Sequence, residues 1–303
     1  MNSIEWFKAL ADTTRARILS LLLNKELNVK ELMSILGIGQ SRISRHLKIL
    51  TDCGLAQCKR DGLWSFYKAT NDGCAGRFLL AVHEYISETE KYMDDLIKAD
   101  MLLHERRESY KKFFDSVADD WSNIRRSIIG EKEIAEEFLE HLPPGISADL
   151  GCGSGDLILS MLKKTDSVIG VDFSSEMLKK AAQKLGSYKD RLHLRIGQIE
   201  HLPLKEREVS SVVMNMVLHH IPKPSIAFEE SFRVLENGGI AIVIDLCKHR
   251  FERMRHLYGD QWLGFFPDSV VSWAEKAGFI LKEQGERAIK EMLTAFFLIL
   301  KKP

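Results

Sequence analysis

Asp149-Leu150-Gly151-Cys152-Gly153-Ser154-Gly155 is the stretch that decides the fold of this 303-residue chain. It follows the apolar residues 146–148 and precedes a run with helical spacing at 157–164. Glycines here let the backbone turn sharply after a first strand and approach a ligand closely. Working outward, strand and helix patterns alternate over 148–150, 157–164, 167–171, 176–185, 192–196, 209–215, 225–235 and 240–245. Apolar strands in that rhythm predict an α/β fold with a mainly parallel, doubly wound, Rossmann-like sheet. Pro143-Pro144-Gly145 stops a helix expected over 131–142, and two strand-like runs, 279–284 and 295–300, break the rhythm at the far end.

The motif also carries chemistry. Asp149 opens it, and Asp172 ends the next strand about twenty residues on, where a carboxylate accepts both ribose hydroxyls of an adenosine. An acidic opening disfavours phosphate and suits a cation. S-adenosylmethionine carries a sulfonium and an amino group and no phosphate.

Charge divides the chain in the same way as the motifs. Lys+Arg and Asp+Glu both number 43, but residues 1–70 hold 11 of the basic and 6 of the acidic ones. A basic module on an acidic body suits a nucleic-acid reader joined to an enzyme-like domain. Hydrophobic content of 45% with 28% charged residues describes a core-forming chain rather than a disordered one. The five cysteines, Cys53, Cys58, Cys74, Cys152 and Cys247, form no C-x-x-C pair, so neither a disulfide framework nor a zinc site is expected. The start reads as an amphipathic stretch, not a signal peptide, and no apolar run reaches a membrane span. The expected location is a reducing cytoplasm, with no membrane partner.

Residues 3–23 have helical spacing with Thr13 as the expected cap at a break. Helices follow over 29–36, ending at Gly37, and over 40–53, closed by Gly54. Strands at 55–59 and 65–69 flank a turn, Arg60-Asp61-Gly62. In the helix at 40–53, Ile43, Leu47 and Leu50 share one face, while Gln40, Ser41, Arg42, Ser44, Arg45 and Lys48 fill the remaining arc. Such a helix suits the major groove: Arg to guanine, Gln to adenine, hydroxyls to phosphate. Arg60, Lys59 and Lys68 on the hairpin reach adjacent backbone. From Ala75 to about Lys112 a long helix is expected, with Leu79, Val82, Ile86, Thr89, Met93, Leu96, Asp100 and Leu103 on a heptad-like seam. That seam serves either a homodimer or packing within its own domain. The expected domains are 1–72, a winged helix-turn-helix; 73–112, a helical dimerisation linker; and 113–303, a cofactor-binding domain.

Residues 9–19, then Ser44-Arg45-His46-Leu47 with a following Leu-x-x-x-Gly-Leu, resemble the ArsR-type winged-helix repressors across 3–70. The resemblance implies a dimeric regulator of a double-stranded DNA operator. Members that sense metals carry cysteines before the recognition helix, and residues 26–33 have none. His83, Glu84 and His104 do not give the family's other ligand spacing, so no metal is expected. The set D-x-G-x-G-x-G, V-D-x-S-x-x-M-L, G-x-x-E-x-L-P, V-L-H-H and R-V-L-x-x-G-G resembles the class I methyltransferases over about 110–303, nearest those acting on quinone precursors and other small molecules. That implies S-adenosylmethionine as cofactor, with S-adenosylhomocysteine as product or ligand. It assigns Asp149, Gly151, Gly153 and Gly155 to the methionine end and Asp172 to the ribose. Phe173 and Met177 flank the adenine, Gln198 and Ile199 meet its edge, and Asn215 lies near the sulfonium. Phe114-Asp115-x-x-Ala118-x-x-Trp121 resembles the segment that closes over the cofactor. Two departures stand out: Gln198 replaces the usual Asp, and Ser211 replaces the usual acid opening the fourth strand.

Methyl transfer needs an acceptor held in line and sometimes a base. His219 and His220, after the fourth strand, are the catalytic candidates; capping or packing is their alternative. His249, Glu252, Arg255 and His256, expected on one helical face, and Trp262-Leu263-Gly264-Phe265 resemble a segment of fused regulator–methyltransferases that lines an acceptor pocket. No Asn/Asp-Pro-Pro-aromatic motif follows the fourth strand, against a DNA methyltransferase. Arsenic methylation needs several placed thiols. Two readings remain open: methyl transfer to a small molecule, or a non-catalytic sensor of S-adenosylmethionine and S-adenosylhomocysteine.

Overall fold

The computed structural model describes residues 3–61, 64–87, 90–124, 134–289 and 293–303. The chain divides into two compact units at residues 109/110.

The first unit opens with α1 (Ser3–Leu10) and α2 (Thr13–Asn24). Asp12, not Thr13, caps α2: its carboxylate accepts the Arg15 amide at 3.0 Å, and Thr13 is already helical. A carboxylate at the positive end of the helix dipole is the better acceptor. After β1 (Leu27–Asn28), α3 (Val29–Leu36) starts with a reciprocal capping box. The Asn28 side chain accepts the Glu31 amide, Glu31 accepts the Asn28 amide at 2.8 Å, and left-handed Gly37 ends the helix. Then come α4 (Gln40–Asp52), β2 (Ala56–Asp61) and β3 (Trp64–Ala69), the strands forming an antiparallel sheet in the order β1-β3-β2. Gly62 of the expected turn lies outside the described residues. Ile43, Leu47 and Leu50 of α4 are wholly buried with Ile18, Leu21, Leu32 and Leu55. At roughly 1.5–3 kcal/mol per buried large aliphatic side chain, this base holds the helix rigidly against the unit.

Two helices, α5 (Gly73–Ser87) and α6 (Glu90–Val117), stand where one long helix is expected. Thr89 lies outside the described residues, as does the Ile86 side chain. The expected seam is split by packing. Leu79 is buried, and Leu96 and Leu103 pack on the unit's own core beside buried Ala99. Arg17 makes two bonds to the buried Asp95 carboxylate at 2.6 and 2.7 Å, and Arg106 donates to Glu31 at 2.8 Å. Met93, Ile97 and Met101 line the opposite, exposed face at i, i+4 and i+8.

The second unit begins with a 3₁₀ turn, Ile134–His141, in place of the α-helix expected over 131–142; residues 131–133 are not described. Its strands are β4 (Ile146–Leu150), β5 (Ser167–Asp172), β6 (Leu192–Ile196), β7 (Val209–Asn215), β8 (Leu235–Leu246), β9 (Ile280–Ala288) and β10 (Thr294–Lys301). Between them lie α7 (Ile158–Met161), α8 (Ser175–Lys184), α9 (Pro224–Val234), α10 (Arg253–Tyr258) and α11 (Pro267–Lys276). α7 is one turn rather than a helix over 157–164, because i→i−3 bonds from Ser160 to Leu157 and from Lys163 to Ser160 tighten both of its ends. The sheet order is β6-β5-β4-β7-β8-β10-β9, parallel from β6 to β8, with β10 antiparallel to both neighbours. Every residue of β7 is buried, and so is the middle of β10, so both faces of the central sheet are covered. The chain leaves β4 toward β5 on one side and reaches β7 on the other. That reversal opens a crevice at the carboxyl ends of β4, β5 and β7. Among the described residues no helix is long and apolar enough to cross a membrane.

Candidate functional site

The glycine loop lies at that crevice. The amides of Gly151 and Cys152 both donate to the Val171 carbonyl, at 2.8 and 3.0 Å, folding the loop across the end of β5. Gly151 has φ +74°, and a Cβ there would meet Val217 Cγ2 at 2.3 Å, so neither the backbone nor the space admits another residue. Asp172 anchors the other side. Its two oxygens accept the Gly153 and Ser174 amides, each at 2.9 Å. Burial pushes its carboxyl up to about 6 against those same bonds. Each oxygen has a second lone pair, which is what a pair of ribose hydroxyls requires. Asp149 is buried beside it, and the Cys152 thiol is pushed well up by burial, with Asp172 and Asp149 adding to the effect.

An aromatic cover stands over the loop. The Phe114 ring lies 5.2 Å from Trp121, 5.5 Å from Phe173 and 5.0 Å from His220, all edge-on. Met177 is buried in the same cluster. The segment is latched by Asp115, which accepts the Ser174 hydroxyl at 2.5 Å, while the same hydroxyl accepts the Met177 amide and caps α8. Trp121 Nε1 is 3.5 Å from where a Cβ on Gly153 would sit. Ile199 is buried toward Gly151, and Asn215 is buried at the end of β7; Gln198 is exposed. Ser211, in place of the usual acid, pairs its hydroxyl with Ser147 at 2.6 Å across β4 and β7. A sulfonium-bearing adenosine fits this arrangement: glycine-lined backbone, a strand-end carboxylate and apolar rings.

His219 and His220 sit on the short turn Leu218–His220 after β7. Buried Asp245, at the end of β8, takes His219 Nδ1 at 2.7 Å and the Leu218 amide at 2.8 Å. His219 Nε2 faces Asp260 Oδ1 at 3.7 Å. The His220 ring lies 4.0 Å from His219 with its plane tilted by 53°, its Nδ1 lies 3.2 Å from the Gly259 carbonyl, and burial holds it well below the ordinary histidine range. Asp260 is 2% exposed, and burial pushes its carboxyl up to about 6. Neither Asp245 nor Asp260 stands out in the sequence. The first hides inside an apolar strand, and the second lies on a loop about forty residues from the histidines it faces.

The expected single face of His249, Glu252, Arg255 and His256 does not form. α10 begins at Arg253 with Glu252 as its cap, and His249 precedes it; the His256 side chain is not described. Trp262, Leu263 and Phe265 are buried, and Trp262 Nε1 donates to the Ile221 carbonyl at 2.8 Å, tying this segment under the histidine turn. Burial lowers His249 to about 4.

On the first unit, Gln40, Ser41, Arg42, Ser44, Arg45 and Lys48 are all exposed along α4, and Arg60 is exposed on β2. His46, within the same run, turns inward and is buried.

Comparison with known proteins agrees with both halves. The profile of the bacterial regulatory proteins of the arsR family matches residues 12–57, and that of the methyltransferase domain matches 148–243. A protein of Methanocaldococcus jannaschii is 31% identical over 62% of this chain and 82% of its own length. A ubiquinone/menaquinone biosynthesis C-methyltransferase of Geotalea daltonii is 26% identical over 54% of this chain and 74% of its own. Among solved structures, a 4+2 cyclase superposes with a TM-score of 0.51 at 16% identity, over 63% of this chain and 95% of its own. That likeness concerns the fold alone. S-adenosylmethionine is the cofactor of the methyltransferase domain. The chain thus carries an arsR-family helix-turn-helix region at residues 12–57 and a methyltransferase domain at residues 148–243.

Proposed function

We propose that the chain is a cytoplasmic, homodimeric regulator that reads a double-stranded operator and methylates a small-molecule acceptor. Asp172 carries the cofactor half of this reading. A buried carboxylate already holding two amides, with lone pairs to spare beside the glycine loop, is preorganised for a ribose. Around it, Asp149, Gly151, Gly153 and Gly155 hold the methionine end, Phe173, Met177 and Ile199 enclose the adenine, and Phe114 and Trp121 exclude water. Gln198 meets the adenine edge from the surface, and Asn215 stands near the sulfonium. The bound cofactor supplies an electrophilic methyl. His219, oriented by Asp245, and neutral His220 manage the acceptor's proton. The quinone-precursor class is supported by the Geotalea relative. Cys152, buried and held as a thiol, does not serve arsenic chemistry.

The DNA half rests on a polar, basic arc of α4 fixed over an apolar base. Exposed Met93, Ile97 and Met101 on α6, with Leu80, Tyr85, Ile4 and Phe7, support a homodimer. Free thiols at all five cysteines suit a reducing compartment. A second reading, sensing without catalysis, is favoured by α6 itself, which gives Ala99 to the first unit's core and Phe114 to the aromatic cover.

The experiment is calorimetry with S-adenosylhomocysteine, followed by transfer of labelled methyl to a panel of quinone precursors. Binding without transfer to any acceptor, together with a shifted operator affinity, would select the sensor. Absence of S-adenosylhomocysteine binding would overturn both readings. Arg45→Ala should weaken operator binding by about tenfold and leave cofactor affinity unchanged.

A further inference from the structure

The geometry points to a site for a divalent first-row transition ion, held by one ring nitrogen each of His219 and His220 and one oxygen of Asp260. These three donors lie within 4.8 Å of one another. His219 Nε2 stands 3.7 Å from Asp260 Oδ1. Ligand atoms around one ion at about 2.0–2.2 Å are themselves spaced by roughly 3–3.5 Å, so a small inward shift closes the set.

Two further observations point to a cation rather than to ordinary packing. The Asp260 carboxylate is 2% exposed, and neither of its oxygens has a hydrogen-bond partner. Arg255 lowers the Asp260 carboxyl through space, while its guanidinium donates hydrogen bonds to Glu252 at 3.1 Å and to the Gln261 carbonyl. A buried carboxylate without donors costs several kcal/mol unless a cation meets it. The other observation is Asp245, which accepts Nδ1–H of His219 and so sets the tautomer with the lone pair on Nε2, toward Asp260. A carboxylate behind a histidine is the usual outer-shell support of a metal ligand. The Gly259 carbonyl takes Nδ1–H of His220 in the same way and leaves that ring's lone pair on Nε2.

The donor chemistry selects the ion class. Two imidazoles and one carboxylate suit zinc, iron, cobalt or manganese; magnesium and calcium prefer oxygen alone. Three protein donors leave coordination positions open. His220 contacts Phe114 and Trp121 of the cofactor cover, so an open position there suits the acceptor's oxygen and lowers its pKa. That role rests on the methyl-transfer reading and, with the ion bound, takes the place of direct proton transfer to the two imidazoles; the binding of the ion does not rest on it.

The test titrates Co2+ into the untagged, EDTA-stripped full chain and follows its visible d–d bands. One ion per chain should bind, without the sulfur charge-transfer bands that a cysteine ligand would give. Asp260→Asn and His219→Gln should each weaken binding at least tenfold, Asp245→Asn by about tenfold, and Asp260→Glu should restore part of it. Equal Co2+ affinity in Asp260→Asn and the native chain overturns the site. Should the variants fail to fold by circular dichroism, anomalous diffraction from Co2+-soaked native crystals decides. A peak between His219, His220 and Asp260 supports the site, and a peak elsewhere or none removes it. S-adenosylhomocysteine affinity measured in EDTA separates failure of the ion site from failure of the cofactor reading.

Discussion

Two buried carboxylates, Asp172 and Asp260, lie in one domain and have opposite surroundings. Burial pushes both up to about 6. Asp172 sits among donors, holding the Gly153 and Ser174 amides, and is part of the scaffold that shapes the glycine loop. Asp260 has no donor on either oxygen and faces two imidazoles. The difference teaches that burial alone does not define a site. One region is completed by its own backbone and needs only a neutral hydroxyl pair; the other is completed only by a positive charge.

The largest expected effect separates the two regions by ligand. Asp172→Ala removes a charged acceptor of two ribose hydroxyls, each such bond contributing about 1.5–3 kcal/mol. S-adenosylhomocysteine affinity should fall by roughly a hundredfold or more in calorimetry, whereas Asp260→Ala should change it less than about threefold. Equal losses in both variants would merge the regions into one site.

Gly151→Ala tests where the regions touch. The added methyl would run into Val217, which leads into the histidine turn, and it would impose a left-handed backbone on a side chain. About 2 kcal/mol of stability should be lost in a denaturant titration. Both S-adenosylhomocysteine and Co2+ should bind more weakly, unlike in Asp172→Ala, where only the former does. Weakening of just one ligand would show the Val217 contact to be inert between the two regions.

How far each region is legible in the sequence follows from how local it is. Asp172 is readable because a strand, a glycine turn and a strand-end acid fall within one βαβ unit, and the same locality exposes α4 and its polar arc. The alternation of strands likewise gives the parallel sheet. Asp245 is masked by its apolar strand, and Asp260 meets His219 only after β8 and α10 have been placed. The seam over α5 and α6 leaves its two uses open for a related reason: the 3,4 spacing of Leu79, Leu96 and Leu103 describes packing on the unit's own core, and the exposed line runs at Met93, Ile97 and Met101. Thr13 loses the cap to Asp12 because both are good caps and only the backbone decides between them.

Acid should act on the two measurable properties of Asp172 in opposite directions. Its folded carboxyl is raised to about 6 from an ordinary value near 3.9. The group's contribution to stability is therefore full below about pH 4 and is lost as pH rises through about 6. Ribose binding needs the ionised acceptor, so S-adenosylhomocysteine affinity should drop about fivefold between pH 6 and pH 5. Asp172→Asn should flatten that profile; a slope surviving in the variant would assign it to another group.

Asparagine at each position gives the finest test of the contrast, because the two substitutions should change stability in opposite directions. In EDTA at pH 8, Asp260→Asn replaces a buried charge that has no hydrogen-bond donor with an amide of the same shape. An unpaired amide is costly, but less so than an unpaired carboxylate. The variant should gain about 1 kcal/mol, a rise of roughly 2–4 °C in Tm for a unit of this size. Asp172→Asn should lose a similar amount, since its NH2 group then confronts the amide of Gly153 or of Ser174. Saturating Co2+ should reverse the order for position 260 alone, raising the Tm of the native chain above that of Asp260→Asn, because an ion that binds only the folded state stabilises it by mass action. Were Asp260→Asn to lose stability in EDTA as Asp172→Asn does, Asp260 would be a satisfied structural acid, and the difference between the two regions would vanish.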